Sequence, residues 1–471
     1  MSSVTRAIGI GVLVVALSGG AYLTADAYDV VPGLVTLAPV PVPPAPFPTA
    51  PGAVTAPALA PVLPALAADA PLPTAERLTA LVDALASDPR IGPSAGVVVA
   101  DQLTGEVLAR HDDETPHTPA STAKLVTAVA ALSALGGDAT ITTRVVRGSA
   151  DQIVLVGGGD MMLAAGEGDP AKVNGHAGLA DLARQAARAL TLAGTTTVTL
   201  GVDDTLFSGP AVSPAWDATY LSNGFVAPVT ALAVKIAALR DDVEYPQRQA
   251  DPSLAAGAAF ATALAAEGIT VTGKPARVTA TGDALALGSV ESAPMAQVVA
   301  YFLTTSDNTI TEVVGRLVAI DAGLPGSFGG ATDAVVARAQ QLGVDTTGAR
   351  LVDTSGLAAG SALPARTLLG LLGLITDGQH SELRPIAIDL PIGGLRGTLS
   401  DRFPSPPARG LVRAKTGSLP GVTSLAGTVV TVDGRQLEFV VLADQTPVGG
   451  QYAPRVAIDA FVDQLAGCGC S

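Results

Sequence analysis

Two β-hairpin patterns at opposite ends of the chain constrain its fold most, because a lone hairpin cannot cover its own apolar face. On the N-terminal side, Gly96–Ala100 reads as a buried strand, Thr104-Gly105 as a turn and Glu106–Arg110 as a second strand. Near the other end, Leu425–Val432 and Gln436–Leu442 flank Asp433-Gly434, a dipeptide suited to a type I′ turn. Each hairpin has a helix beside it. Leu78, Leu81, Val82 and Leu85 follow helical spacing with Thr74 as N-cap, and a second helix runs from Pro454 to about Leu465. A helix and strands at one end, and strands and a helix at the other, predict one sheet built from both termini. The stretch between, roughly 138–289, then reads as an insertion rich in Thr/Val strand patterns such as Thr195–Leu200 and Ile269-Thr270-Val271, with Gly157-Gly158-Gly159-Asp160 as a turn.

Ahead of this lie two segments of another kind. Residues Ala7–Ala25 carry no charge, follow Arg6, and precede Ala25-Asp26-Ala27, a plausible cleavage site. Residues 1–31 are therefore expected to be a signal peptide or a membrane anchor, and either sends the rest of the chain across the membrane. From 32 to 73 the chain is Pro/Ala/Val-rich, as in Val40-Pro41-Val42-Pro43-Pro44, which favours extended polyproline II and predicts a linker.

Composition removes several function classes. With 27 Lys plus Arg against 42 Asp plus Glu the net charge is −15, and no cationic run exists to grip phosphates, so no nucleic-acid partner is expected. Hydrophobic residues make up 48% and charged ones 15%, which is not the composition of a disordered solvating chain. Only Ala7–Ala25 is both uncharged and free of proline for long enough to span a bilayer. Aromatics are 3%, so the core must be built from Ala, Val, Leu and Ile. The two cysteines, Cys468 and Cys470, sit in a tail over 467–471 and cannot make a disulfide framework or a four-ligand zinc site. A disulfide across one residue, free thiols and intermolecular pairing all stay open for them. No metal site and no cofactor is expected.

The lysine count is more telling. Among 27 basic residues only five are lysines: Lys124, Lys172, Lys235, Lys274 and Lys415. Arginine serves wherever a generic positive charge will do, but its guanidinium does not deprotonate and cannot act as a base. Lys124 lies in Pro119-Ala120-Ser121-Thr122-Ala123-Lys124, at the start of an apolar helix (Leu125, Val126, Val129, Leu132) that stops at Gly136-Gly137. A serine at a helix start sits in positive potential, and a lysine three residues on shares its face. If desolvated against that apolar wall, the lysine could take the Ser121 proton; an N-cap serine beside a solvated lysine is the plainer alternative. Ser306-Asp307-Asn308 follows an apolar helix, Met295–Leu303, with Ser292 as its expected N-cap. Ala414-Lys415-Thr416-Gly417-Ser418 precedes the C-terminal hairpin. There a glycine on a sheet edge lets a ligand backbone approach, and Lys415, Thr416 and Ser418 make a carboxylate receptor. Each tripeptide alone is common.

Their order, SxxK, S-D-N, K-T-G, is the signature of serine acyltransferases that act on D-alanyl peptides and β-lactams. The chain resembles the penicillin-binding proteins of the D-alanyl-D-alanine carboxypeptidase/endopeptidase type over about Thr74 to Leu465. Leu155-Val156-Gly157-Gly158-Gly159-Asp160, Ser222-Asn223-Gly224-Phe225-Val226-Ala227-Pro228-Val229, Asp353-Thr354-Ser355-Gly356-Leu357, Leu390-Pro391-Ile392-Gly393-Gly394 and Gly397-Thr398-Leu399 also resemble segments of that family. The separation of 182 positions from Lys124 to Ser306 matches its low-molecular-mass class C members, which carry inserted domains there.

The resemblance implies an α+β fold (an α/β sandwich), a penicillin-binding/β-lactamase-like domain with a central antiparallel sheet flanked by helices. The catalytic domain would comprise 74–137 and 290–466, and 138–289 would be an inserted β-rich region. It implies that Ser121 is the acylated nucleophile, Lys124 its base, Ser306 a proton relay, and Asn308 a holder of the substrate amide and Lys124. Lys415, Thr416, Gly417 and Ser418 would bind substrate, and the N–H groups of Ser121 and Ser418 would form the oxyanion hole. The implied partners are peptidoglycan stem peptides and β-lactam antibiotics, in an extracytoplasmic, cell-envelope setting, with membrane attachment through the N-terminal segment if it stays uncleaved. A serine β-lactamase and a non-catalytic peptidoglycan-binding protein are the competing readings. No His lies in the motifs, which disfavours a Ser-His-Asp triad. The chain departs from the family at Thr354, where Gly is usual, at Ala358-Ala359 with Ser361, where Ser-Arg and a nearby Asn are frequent, and at Thr311, where Ala is common.

Overall fold

A computed structural model of the chain describes residues 18–26 and 68–469. Residues 18–26, in the first of two units (Met1–Ala65), are helical; all that follows concerns the second, Leu66–Ser471. The rest of the expected leader over 1–31, the linker up to residue 67, and Cys470 lie outside the described residues. Among the described residues no helix is long and apolar enough to cross a membrane.

The two ends of the chain meet in a five-stranded antiparallel sheet. Its order is Val412–Leu419, Val422–Val430, Gln436–Ala443, Ala95–Asp101, Val107–His111. Ala95–Asp101 pairs with Gln436–Ala443 along its whole length, from Ala95 opposite Ala443 to Asp101 opposite Leu437. This is the sheet that the end-to-end pattern predicted.

Successive side chains point to opposite faces of a strand, and here both faces are covered. On one face Val97, Val99, Leu425, Val429, Leu437, Phe439 and Val441 pack with Leu78, Leu81, Val82 and Leu85 of the helix Ala75–Ala86, and with Ile458, Phe461, Val462 and Leu465 of the helix Tyr452–Ala466. On the other face Val98, Ala426, Val440 and Leu442 join a core built from helices Lys124–Leu135, Met295–Thr305, Asn308–Asp321, Phe328–Gln341 and Ala365–Thr376. The arrangement is an α+β sandwich, helices–sheet–helices.

A second, six-stranded sheet lies almost wholly in the stretch expected to be an insertion, 138–289. Its order is Ala276–Arg277, Thr197–Asp203, Gln152–Val156, Thr142–Arg147, Ala286–Glu291, with Thr270–Val271 also paired to Thr197–Asp203. Helices Leu179–Leu192 and Pro252–Ala266 cover it. The last strand carries this sheet to residue 291. The stretch also feeds the central core, because Met161, Met162, Trp216, Val226 and Val229 pack in the same cluster as Val126 and Val298.

Two local expectations are corrected. The turn between the last two strands is not type I′, which needs positive φ at both central residues. Thr431 N–H donates to Arg435 C=O and Gly434 N–H to Thr431 C=O, and of the turn residues Gly434 alone has positive φ, at 85°. The loop is thus a three-residue turn with a left-handed glycine. Ser292 does not cap the helix Met295–Thr305, whose N-cap is Pro294. Its hydroxyl instead accepts from Ile141 N–H and donates to Ala293 C=O, joining the inserted stretch to the helix start.

Candidate active site

Ser121 lies on a 3₁₀ turn, Ala120–Ala123, that runs straight into the helix Lys124–Leu135. The turn is pinned from outside. Pro119 C=O accepts the Thr122 hydroxyl at 2.7 Å and the Ser424 hydroxyl at 2.7 Å. Fully buried Ala120 has φ of 48°, a left-handed conformation that an alanine holds only when its surroundings enforce it. The strand Val412–Leu419 runs beside the turn. At Gly417 an added Cβ would meet the Ser424 hydroxyl at 2.1 Å, Pro119 O at 2.7 Å and the Ser121 nitrogen at 3.1 Å. No side chain fits there, which is how the glycine brings the edge strand against the serine.

Lys124 is fully buried, and its ammonium group donates three hydrogen bonds: to Ser121 Oγ at 3.0 Å, Asn308 Oδ1 at 2.7 Å and Ser355 O at 2.8 Å. All three acceptors are neutral. Burial therefore dominates and pulls the amine down to about 8, against the opposing pull of the Asp353, Glu312 and Asp307 carboxylates. Lys415 is buried too, donating to Ser306 Oγ at 2.9 Å and Thr416 O at 3.0 Å. Burial, and then the charge of Lys124, hold it well below its ordinary value.

Ser306 and Asn308 sit at a helix–helix junction. Ser306 ends the helix Met295–Thr305 in a left-handed conformation, φ 58°. Asp307 caps the next helix by accepting from Ile310 N–H at 2.8 Å, and Asn308 opens it. Asn308 is held by both ends of its amide, since Nδ2 donates to Phe225 O at 2.9 Å. Thr416 Oγ1 is 2.8 Å from Thr398 Oγ1.

All eight predicted site residues thus converge from the three motifs. Ser121, Ser306, Asn308, Thr416 and Ser418 line one groove of about 1990 Å³, and the two lysines lie buried behind these hydroxyl and amide groups.

Sequence reasoning missed the part of the site made by the Asp353–Leu357 loop. Ser355 supplies a backbone carbonyl, which no side-chain pattern marks. The loop is held by two buried carboxylates. Glu312 accepts from Thr354 N–H (3.2 Å), Thr354 Oγ1 (2.9 Å) and Ser355 N–H (2.8 Å), while Asp353 accepts from Trp216 Nε1 (2.7 Å), Gly356 N–H (2.8 Å) and Ala358 N–H (2.7 Å). Burial, with the Asp353 charge added, raises Glu312 above its ordinary value. At Gly356, φ 75°, a Cβ would come 1.9 Å from Ala120 O, so the loop seats directly on the turn that carries Ser121. The unusual Thr354 fits because Gly315 faces it: a Cβ there would lie 2.7 Å from the threonine methyl. Ala358 serves through its backbone, and Ser361 Oγ accepts from Val352 N–H at 3.0 Å. Thr311 turns its hydroxyl back to Asp307 O at 2.6 Å.

A Ser94–His117–Asp444 cluster exists elsewhere, but it lacks the geometry of a relay. Ser94 Oγ donates to Asp444 Oδ1 at 2.6 Å, and the same ring nitrogen, His117 Nδ1, faces both the serine (3.2 Å) and the carboxylate (3.4 Å). None of the three lines the groove.

Comparison with known proteins bears on the chain as a whole. The chain matches the D-Ala-D-Ala carboxypeptidase 3 (S13) family over residues 78–248 and 235–466. It is 38% identical over 410 residues to a carboxypeptidase of Mycobacterium tuberculosis, covering 85% of this chain and 86% of that one. It is 36% identical over 439 residues to the carboxypeptidase DacB of Mycolicibacterium smegmatis, covering 91% and 90%. Among solved structures, penicillin binding protein 4 from Haemophilus influenzae superposes with a TM-score of 0.68 at 23% identity, covering 82% of this chain and 98% of that one.

Proposed function

Since the chain belongs to the D-Ala-D-Ala carboxypeptidase 3 (S13) family, we propose that Ser121 is the nucleophile through which it works as a serine D-alanyl-D-alanine carboxypeptidase. The observation that carries the assignment is the Lys124 amine, 3.0 Å from Ser121 Oγ, buried, and bonded to neutral acceptors alone. A buried ammonium with no contacting carboxylate loses its proton well below the usual lysine range, here at about 8, and the free amine can then accept one from serine.

The reaction runs as follows. A peptide ending in D-Ala-D-Ala lays its terminal carboxylate against Thr416 and Ser418, and its negative charge favours the protonated form of Lys415 behind them. Ser121 Oγ adds to the carbonyl carbon of the penultimate residue and its proton passes to Lys124. The N–H groups of Ser121 and Ser418 hold the oxyanion. The C–N bond breaks, the Lys124 proton reaches the departing amine by way of Ser306, and free D-alanine leaves. Water then attacks the ester carbonyl, giving up a proton to Lys124. The ester C–O bond breaks, Ser121 recovers a proton, and the shortened peptide departs. Asn308 holds Lys124 and the substrate amide throughout.

Substrates of this chemistry are peptidoglycan stem peptides, which puts the enzyme in the extracytoplasmic envelope, secreted or held by residues 1–31. The domain division 74–137 with 290–466, around 138–289, is proposed with it. A groove of about 1990 Å³ exceeds the roughly 300–1,000 Å³ of an ordinary ligand pocket, which favours a second activity on cross-linked peptides. The Haemophilus influenzae protein has also been solved in complex with a β-lactam. A β-lactam offers the same serine a strained amide whose leaving group stays tethered, so we expect penicillin to acylate Ser121.

Intact-mass analysis with benzylpenicillin tests the assignment. Wild type should gain one adduct that Ser121→Ala lacks, and wild type alone should release D-alanine from a diacylated tripeptide ending in D-Ala-D-Ala. An adduct on another residue, or D-alanine release by Ser121→Ala, would overturn it. An adduct that hydrolyses within seconds would favour the β-lactamase reading instead.

A further inference from the structure

We propose that Arg455, on the first turn of the C-terminal helix, is a further substrate-binding residue that grips the terminal carboxylate together with Thr416 and Ser418. The inference rests on the carboxypeptidase reading above and adds a residue that none of the three motifs contains.

The cations of the groove differ in what neutralises them. Six basic side chains line it: Lys172, Lys235, Arg240, Arg248, Arg402 and Arg455. Five are already committed. Lys172 pairs with Asp169 at 3.1 Å, Lys235 with Asp241, and Arg240 with Asp242 at 2.6 Å. Arg248 is spent on backbone carbonyls, Ile236 O at 2.9 Å and Gly224 O at 3.1 Å. Arg402 holds Asp459 through Nε at 3.0 Å. That pair matters twice, because Asp459 is four residues beyond Arg455 on the same helix and would be its natural neutralising partner. Among the described residues Arg455 is left with one side-chain hydrogen bond, Nη2 to Ser418 Oγ at 3.4 Å, the outer edge of hydrogen-bond range, and no carboxylate pairs with it.

Its position is not explained by the helix either. A cation in the first turn opposes the helix dipole. The helix start is nonetheless moored to the substrate strand, since Gln451 Nε2 donates to Leu419 O and Arg455 N–H donates to Gln451 O at 3.1 Å. The half-buried Arg455 therefore stands beside Ser418 with most of its guanidinium donors unspent. Guanidinium and carboxylate match as a two-pronged pair. The anion that must sit between Arg455, Ser418 and Thr416 is the terminal carboxylate of the peptide. No bond is made or broken by Arg455; it binds and orients.

The test compares two substrates on the full-length enzyme. One is the diacylated tripeptide ending in D-Ala-D-Ala. The other is an acyl-D-alanine p-nitrophenyl ester, which offers Ser121 an activated carbonyl but no carboxylate. Losing a charge-assisted hydrogen bond reduces binding by about 10- to 100-fold. In Arg455→Ala the ratio of kcat/KM for peptide to that for ester should fall by that factor, chiefly through KM, and Arg455→Lys should restore part of it. An unchanged ratio would overturn the inference, whether both rates hold or both drop together, the latter marking a structural role. Wild type that cleaves the ester in a Ser121-dependent way yet releases no D-alanine would instead overturn the carboxypeptidase reading on which the inference stands.

Discussion

At the scale of single residues the site depends on keeping one amine dry. Lys124 is fully enclosed, and burial brings it to about 8. A base must be neutral to accept a proton, so kcat/KM for D-alanine release should rise with pH through about 8 and then level. Lys124→Arg keeps a cation there but cannot deprotonate. It should lose about 10²- to 10⁴-fold in kcat/KM at every pH, with no rising limb. A steady-state pH series on both proteins checks this; a variant that keeps the limb would remove Lys124 from the role of base. Scarcity of lysine pointed to this residue in the sequence. That the third acceptor is a backbone carbonyl, Ser355 O, was not legible, because a carbonyl belongs to every residue and only chain path aims it.

At the scale of elements, the Asp353–Leu357 loop is the support on which the turn carrying Ser121 rests. Its departure from family usage at Thr354 is matched from the helix Asn308–Asp321 by Glu312, which accepts the hydroxyl, and by Gly315, which clears room for the methyl. Gly315→Ala would press a Cβ to 2.7 Å from that methyl. We expect it to destabilise the fold by about 1–3 kcal/mol, the usual effect of overpacking a closed core. Thr354→Gly in the same chain should recover part of the loss, because the obstructing group is gone. Urea unfolding of the two single variants and the double variant measures the coupling, and strictly additive effects would sink the explanation. A second element-level tie joins Pro116–His117 to the end of the strand Gln436–Ala443. Burial alone would raise Asp444, but hydrogen bonds from His117, Ser94 and Thr118 N–H together hold it at about 2. A depressed carboxylate stabilises above its unfolded value and stops doing so as pH falls through its folded one. The stability gap between wild type and Asp444→Asn should therefore narrow as pH drops from about 5 toward 2, and thermal melts across that range would refute the tie if the gap stayed constant.

At the scale of the whole molecule, one central core takes residues from the inserted stretch and from the sheet-bearing ends alike. Met161, Met162, Trp216, Val226 and Val229 pack with Val126 and Val298, and Trp216 also bonds Asp353. Replacing 138–289 by a short linker should leave no folded remainder, and residues 68–469 should unfold in a single transition by calorimetry. A stable, penicillin-reactive remainder would contradict this. The local alphabet determined a good deal of the protein: alternation and turn residues marked the two hairpins, helical spacing marked the flanking helices, and three short motifs marked the eight candidate site residues, since each of these is a property of a few adjacent positions. Tertiary structure alone decided what lies between them. Only the folded chain sets Ser121, Asn308 and Ser355 around one buried amine, gives Asp459 to Arg402, and leaves Arg455 facing Ser418. Partner choice among charges, and the desolvation that lets an amine shed its proton, depend on distances between residues far apart in sequence. No local pattern encodes those distances.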